Sequence, residues 1–168
     1  MPVRVEVATE ADVPVILGLA GEVEHWFGPM VGHPGFQRAL DDHIAGQRAF
    51  VAFGPGGEPA GAVLFGGAPP RFAVHWLVVA DHVRGQGAGR TLMSAVIERL
   101  TDGAGLAEGE VVEVVTFGPD HPGAVDSGAR VFYERLGFVP AEPAPDGPEG
   151  GSRQVFRLNA RPLNGGRG

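Results

Sequence analysis

An apolar run, V-H-W-L-V-V-A (74–80), leads through R-G-Q-G-A-G-R (84–90) into a helical repeat, T-L-M-S-A-V-I-E-R-L (91–100). This strand, glycine loop and helix constrain the fold more than any other stretch. A segment apolar at nearly every position needs cover on both faces, so the pattern predicts a central strand over Phe72–Val79. Leu92, Met93, Val96, Ile97 and Leu100 then mark one face of the following helix. Three glycines within five residues at a helix start also make a ready anion site. Backbone N–H groups there lack intrahelical partners, and glycine lets an oxygen approach them closely.

Spacing decides which phosphate such a loop suits. A dinucleotide loop needs G-x-G-x-x-G, but Gly85, Gly87 and Gly89 give G-x-G-x-G, with Arg90 in the last place. A Walker loop ends in Gly-Lys-Ser/Thr, and a kinase needs a catalytic lysine and a longer chain. All 13 basic residues here are arginine, so both are excluded.

The flanking sequence supplies a mixed α/β alternation. V-R-V-E-V (3–7) reads as a strand, and Thr9 with Asp12 reads as a helix start. Val13, Ile16, Leu17, Ala20 and Val23 recur at helical spacing, and Phe36–Ile44 reads as a second helix. Strands at 49–53 and 62–65 flank the turn G-P-G-G-E-P (54–59). A strand at 111–117 is followed by the helical face Val125, Ala129, Phe132, Tyr133 and Leu136. G-F-V (137–139) begins a strand, 141–151 reads as a Pro/Gly/acid loop, and 153–158 reads as a last strand. The predicted order is β-α-α-β-β-β-α-β-α-β-β, a mixed sheet with helices on its faces. A single domain is expected over 1–160, with 161–168 as a flexible tail.

Several function classes fall away. The chain has no cysteine, which removes disulfides, thiolate metal sites and a cysteine nucleophile. Its formal net charge of −7 disfavours nucleic acid and anionic membrane surfaces and suits an amine-bearing partner. No apolar run reaches membrane-spanning length, and the N-terminus shows no secretory hydrophobic region, so a cytoplasmic protein is expected. The histidines lack convergent metal-ligand spacing, so no metal is expected.

R-G-Q-G-A-G (84–89) fits the pattern (Gln/Arg)-x-x-Gly-x-(Gly/Ala), and here the chain resembles the GNAT superfamily of N-acetyltransferases. The preceding L-V-V-A-D-H-V (77–83) is similar to that family's L-x-V-x-P-x-x, with Asp81 in the place of proline. D-S-G-A-R-V-F-Y-E-R-L-G-F (126–138) resembles its C-terminal block N-x-x-A-x-x-(F/L)-Y-E-(K/R)-L-G-F, with Asp126 where asparagine is common. R-V-E-V-A-T-E-A-D (4–12) resembles the family's opening strand and helix. A lone glycine loop would be weak. Two blocks in the right order, with the right elements between them, are strong.

The resemblance implies a GNAT-type fold and direct transfer of an acetyl group from acetyl-CoA to the primary amine of a small acceptor, for which the acidic charge of the chain leaves a cationic one open. It places the pyrophosphate of coenzyme A on the backbone of Arg84, Gly85, Gln86, Gly87, Ala88, Gly89 and Arg90, with Asp126 nearby. It also implies that the strand ending at Val79 splays from 111–117, leaving the backbone of Leu77, Val78 and Val79 to pair with the pantetheine arm and polarise the thioester carbonyl. Tyr133, the only tyrosine, falls on the family's frequent general acid, although its apolar stripe also suits a core aromatic. Family members often place Glu or His on the strand before the loop. On the face shared by Ala73, His75, Leu77 and Val79, His75 is the only ionisable residue, either a base or a hydrogen-bonded core histidine. Trp76 faces the other way.

In the family the acceptor pocket involves the N-terminal helices. In E-V-E-H-W-F-G-P-M-V-G-H-P-G-F (22–36), Glu22 and Glu24 suit a cationic amine, and His25, Trp26 and Phe27 suit its walls. The same stretch also suits a helix end with a hydrophobic plug. His33, Asp41, Asp42, His43 and His121 are weaker candidates, and Asp81 and His82 are expected at the surface. Two other activities fit the resemblance: a non-catalytic acyl-CoA-binding module, and an acetyltransferase acting on protein N-termini or lysines. A homodimer is a common family state.

Overall fold

The protein's structure, a computed structural model, describes residues 3–27, 31–80, 83, 87–121, 124, 128–146 and 151–160, without the side chains of 25–27. Its strands are β1 (Arg4–Val7), β2 (Ala49–Phe53), β3 (Pro59–Ala68), β4 (Arg71–Val79), β5 (Val111–Phe117), β6 (Val139–Ala144) and β7 (Arg153–Asn159). Its helices are α1 (Val13–Phe27), α2 (Pro34–Ala45), α3 (Ala88–Leu100) and α4 (Ala129–Arg135), with a 3-10 turn at Glu10–Asp12. The element order is the one the sequence predicts. The strands form one mixed sheet in the order β1-β2-β3-β4-β5-β7-β6, which puts β4 at its centre.

The chain divides into two compact units, Met1–Phe65 with His75–Val96, and Gly66–Val74 with Ile97–Gly168. In the first, β1, β2 and β3 form an antiparallel meander, with Val5 opposite Ala52 and Val51 opposite Ala62. Asp12 accepts the Thr9 backbone N–H at 2.8 Å and so secures the start of the helical segment. The buried stripe of α1 is Ile16, Leu19, Ala20 and Val23. Leu19 is one member the sequence reading passes over, whereas Leu17 is only half-buried. The rings of Phe50 and Phe65 pack at 4.9 Å, and Leu92, Met93 and Val96 bury the inner face of α3.

Gly61 sits where β3 runs tight against β4. A Cβ there would lie 2.6 Å from the Val78 carbonyl oxygen and 3.0 Å from a Leu92 methyl. Both neighbours are buried, so the backbone itself must move. Gly61→Ala is expected to cost roughly 1–3 kcal/mol, the usual penalty for overpacking. The denaturant midpoint should fall with its slope unchanged, and an unmoved midpoint would show that the strand yields freely.

In the second unit β4 pairs with β5 in parallel from Arg71↔Val111 to Val74↔Val114. β5 then runs antiparallel to β7, and β7 to β6. Here the structure corrects the sequence reading. Residues 141–144, expected in a loop, continue β6 as an edge strand. Pro140 and Pro143 are tolerated because β6 lies at the sheet edge and a register shift falls between them. Arg157 on β7 ties the neighbouring strands together by bonding both Glu113 of β5 and Glu142 of β6. The Arg157 hydrogen bond pulls the Glu142 carboxyl down to about 2, so this pairing persists through neutral pH.

Candidate active site

The alternation of β4 sorts its residues. Phe72, Val74 and Val78 are buried, Ala73, Leu77 and Val79 are half-buried, and His75 is exposed. Helix α2 supplies the neighbour that decides the chemistry of His75. His33 caps this helix, its Nδ1 accepting the Gly35 N–H at 3.1 Å, with Pro34 in the first turn where a missing N–H costs nothing. His33 is thereby accounted for as a cap. Phe36, Leu40 and His43 follow at helical spacing on one stripe of α2. Phe36 meets the Trp76 ring edge-on at 5.2 Å. The Trp76 indole N–H is buried without an acceptor among the described residues.

His43 Nε2 lies 2.7 Å from His75 Nδ1, with the two rings at 78°. On its other side, His43 Nδ1 lies 2.6 Å from the Ala39 carbonyl oxygen, one turn back in α2. His75 is exposed as a residue, yet the side of its ring turned to His43 is shielded from water. That desolvation, then His43, then Arg48, holds its pKa below the usual imidazole value. The sequence ranks His43 among weak candidates beside Asp41 and Asp42, both exposed. The Phe36–Leu40–His43 spacing, with Leu40 buried, is the signal that could have put it facing inward.

The glycine loop turns into helix earlier than predicted. α3 begins at Ala88, so Ala88, Gly89 and Arg90 form its first turn rather than a loop. Gly87 has φ +89, a left-handed backbone that glycine takes without strain, and open space surrounds the position of its absent Cβ. The Gly87 carbonyl accepts the Thr91 N–H at 3.0 Å and the Thr91 hydroxyl at 2.9 Å. The N–H groups of Ala88, Gly89 and Arg90 precede that first intrahelical bond. Ala88 and Gly89 are small and Arg90 is exposed, so this donor set fits a pyrophosphate. Arg84, Gly85 and Gln86 lie outside the described residues, as do Asp81, His82 and Asp126.

Tyr133 belongs to the second unit. It is buried on α4, with Phe132, Phe138 and Phe156 around its ring at 5.0, 5.4 and 6.3 Å. Burial pushes its phenol pKa up. α4 is fixed by Arg130, which donates to the Phe117 carbonyl at 2.9 Å and to Gln154 Oε1 at 2.8 Å and covers the Phe156 ring. His121 is buried against Phe117 with ring centres 4.4 Å apart. A Cβ on Gly151 would collide with the His121 ring, so the chain packs closely against this histidine.

Of the proposed acceptor residues, Glu22 is exposed, and Glu24 accepts the Val31 N–H at 2.8 Å. The side chains of His25, Trp26 and Phe27 lie outside the described residues. Among the described residues, no group of three or more His, Asp or Glu is arranged to hold a metal ion, and no helix is long and apolar enough to cross a membrane.

Known proteins resemble the chain as follows. A solved structure from Desulfovibrio desulfuricans, assigned to the GNAT family, is 20% identical with a TM-score of 0.66, covering 94% of this chain and 98% of that one. Ard1 from Thermoplasma volcanium is 14% identical with a TM-score of 0.72, covering 96% and 100%. The PaiA N-acetyltransferase from Thermoplasma acidophilum, solved in complex with coenzyme A, is 12% identical with a TM-score of 0.70, covering 95% and 99%. These likenesses establish the fold. Among curated proteins, none matches the chain. The family pattern described as the acetyltransferase (GNAT) domain matches residues 45–140, more than half of the sequence and including His75, the glycine loop and Tyr133. The chain belongs to the GNAT family of acetyltransferases.

Proposed function

We propose that this acetyltransferase moves the acetyl group of acetyl-CoA directly to the primary amine of a small acceptor, with His75 as the general base. The observation that carries the reading is His75 itself, an exposed imidazole on the less buried face of β4 whose pKa is held below the usual value. Such a ring is largely unprotonated at neutral pH, the state a base requires. A simple alkylamine has pKa near ~10 and is only about one part in a thousand neutral at pH 7, so removal of its proton matters to the rate.

Acetyl-CoA, when bound, supplies the thioester. The first-turn amides of Ala88, Gly89 and Arg90 hold its pyrophosphate, and the loop residues Arg84, Gly85, Gln86 and Gly87 extend the cradle. The backbone of Leu77, Val78 and Val79 pairs with the pantetheine arm. This is supported by the extent of the β4–β5 ladder, which runs over Arg71–Val74. Tyr133 keeps its proton across neutral pH and donates it towards the departing sulfur. Glu22, with His25, Trp26 and Phe27, receives the acceptor, and the acidic charge of the chain favours a cationic one.

Release of coenzyme A is the direct measurement. A panel of polyamines, aminoglycosides, arylalkylamines, amino acids and peptides should give acceptor-dependent release with at least one small amine. Release with peptides alone would assign the enzyme to protein substrates and overturn the small-acceptor reading.

A further inference from the structure

The hydrogen bonds of His43 determine more than the placement of a ring. A backbone carbonyl can only accept, so the 2.6 Å contact with Ala39 puts a proton on His43 Nδ1. Neutral His43 then carries its lone pair on Nε2. The facing His75 Nδ1, 2.7 Å away, must therefore be the donor. Its remaining nitrogen, Nε2, is left with the lone pair.

We propose that His43 is a positioning residue which fixes His75 in the tautomer with its lone pair on Nε2, and that the two rings take up one proton between them. The catalytic consequence rests on the reading of His75 as the base. When His75 Nε2 takes a proton from the acceptor's ammonium group, one N–H bond breaks and another forms. The proton on His75 Nδ1 can then shift along the 2.7 Å contact to His43 Nε2, which spreads the positive charge over both rings. His43 keeps its Nδ1 proton on Ala39 throughout. A second proton on the pair would set N–H against N–H, and the contact would have to open.

The charged and titratable groups that act on His75 are His43 from α2 and Arg48 from the segment entering β2. The neighbouring strand β3 has no ionisable residue. Arg48, always charged, opposes a positive charge on His75, and so would a second proton placed on His43, which keeps the ring available as an acceptor at neutral pH.

Nitrogen-15 NMR of the histidine-labelled, full-length protein reads the tautomer without any substrate. Above the titration of the pair, His75 should show a protonated Nδ1 and an unprotonated Nε2. The reverse assignment overturns the proposal whatever the kinetics show. His43→Leu removes the acceptor and should lower kcat about 10–100-fold, as loss of an orienting partner does, with KM little changed. His43→Gln keeps an acceptor in its Oε1 and should recover most of kcat. In His43→Leu the acid limb of kcat/KM should move downward, because the proton His75 takes up loses the Nε2 lone pair that shares it, whereas in His43→Gln it should stay near the parent's. Equal impairment by Leu and Gln, or an unmoved acid limb in the leucine variant, would leave His43 as mere packing and overturn its role. If instead His75→Ala proves fully active while NMR finds the expected tautomer, it is the assignment of the base that fails.

Discussion

His75→Ala is expected to lower kcat/KM at neutral pH by about 10²–10⁴-fold, the range a positioned general base contributes. The shape of the pH profile matters more than the size of the loss. In the parent enzyme, activity falls on the acid side as His75 gains a proton, at a pH below the usual imidazole value because desolvation, His43 and Arg48 all disfavour the cation. Without the ring, the rate should follow the neutral fraction of the amine instead. It should then climb about tenfold per pH unit towards the amine's own pKa near ~10. The gap between variant and parent therefore narrows at alkaline pH. A variant whose profile overlays the parent's would remove His75 from the reaction. Coenzyme A affinity should stay as it was.

Tyr133→Phe is expected to lower kcat by about 10²-fold or more while coenzyme A affinity changes little. The phenol is suited to giving a proton because burial keeps it protonated far above neutral pH. The departing thiolate, with a thiol pKa near ~8.5, gains most from a donor when the carbon–sulfur bond is nearly broken. Phenylalanine keeps the ring and its contacts with Phe132, Phe138 and Phe156, so the substitution isolates the hydroxyl. Turnover should therefore drop in a protein that still folds. Undiminished turnover in the folded variant would make Tyr133 a core aromatic and nothing more.

Much of this molecule was legible in its residues, and the exceptions have physical causes. The order of elements follows from apolar periodicity, and the second family block falls on α4. The continuation of β6 was hidden by Pro140 and Pro143, which depress strand propensity everywhere except at an edge, and edges are set by the assembled sheet. The early start of α3 was hidden because Gly87 and Gly89 read alike in sequence. Only Gly87 is the left-handed residue at the turn, and Gly89 lies inside the helix. The partnership of His43 with His75 spans 32 residues and depends on how α2 lies against β4, which no local pattern records. Candidates within a single element could be proposed from sequence. Pairs made by packing could not.

The prolines of β6 also bear on how this protein meets copies of itself. A strand laid along a sheet edge needs backbone donors, and β6 offers none at Pro140 or Pro143. Its outer rim is thus a poor template for strand addition, even with Val139 exposed there. Prolines on an edge strand blunt it against the strand addition through which fibrils grow.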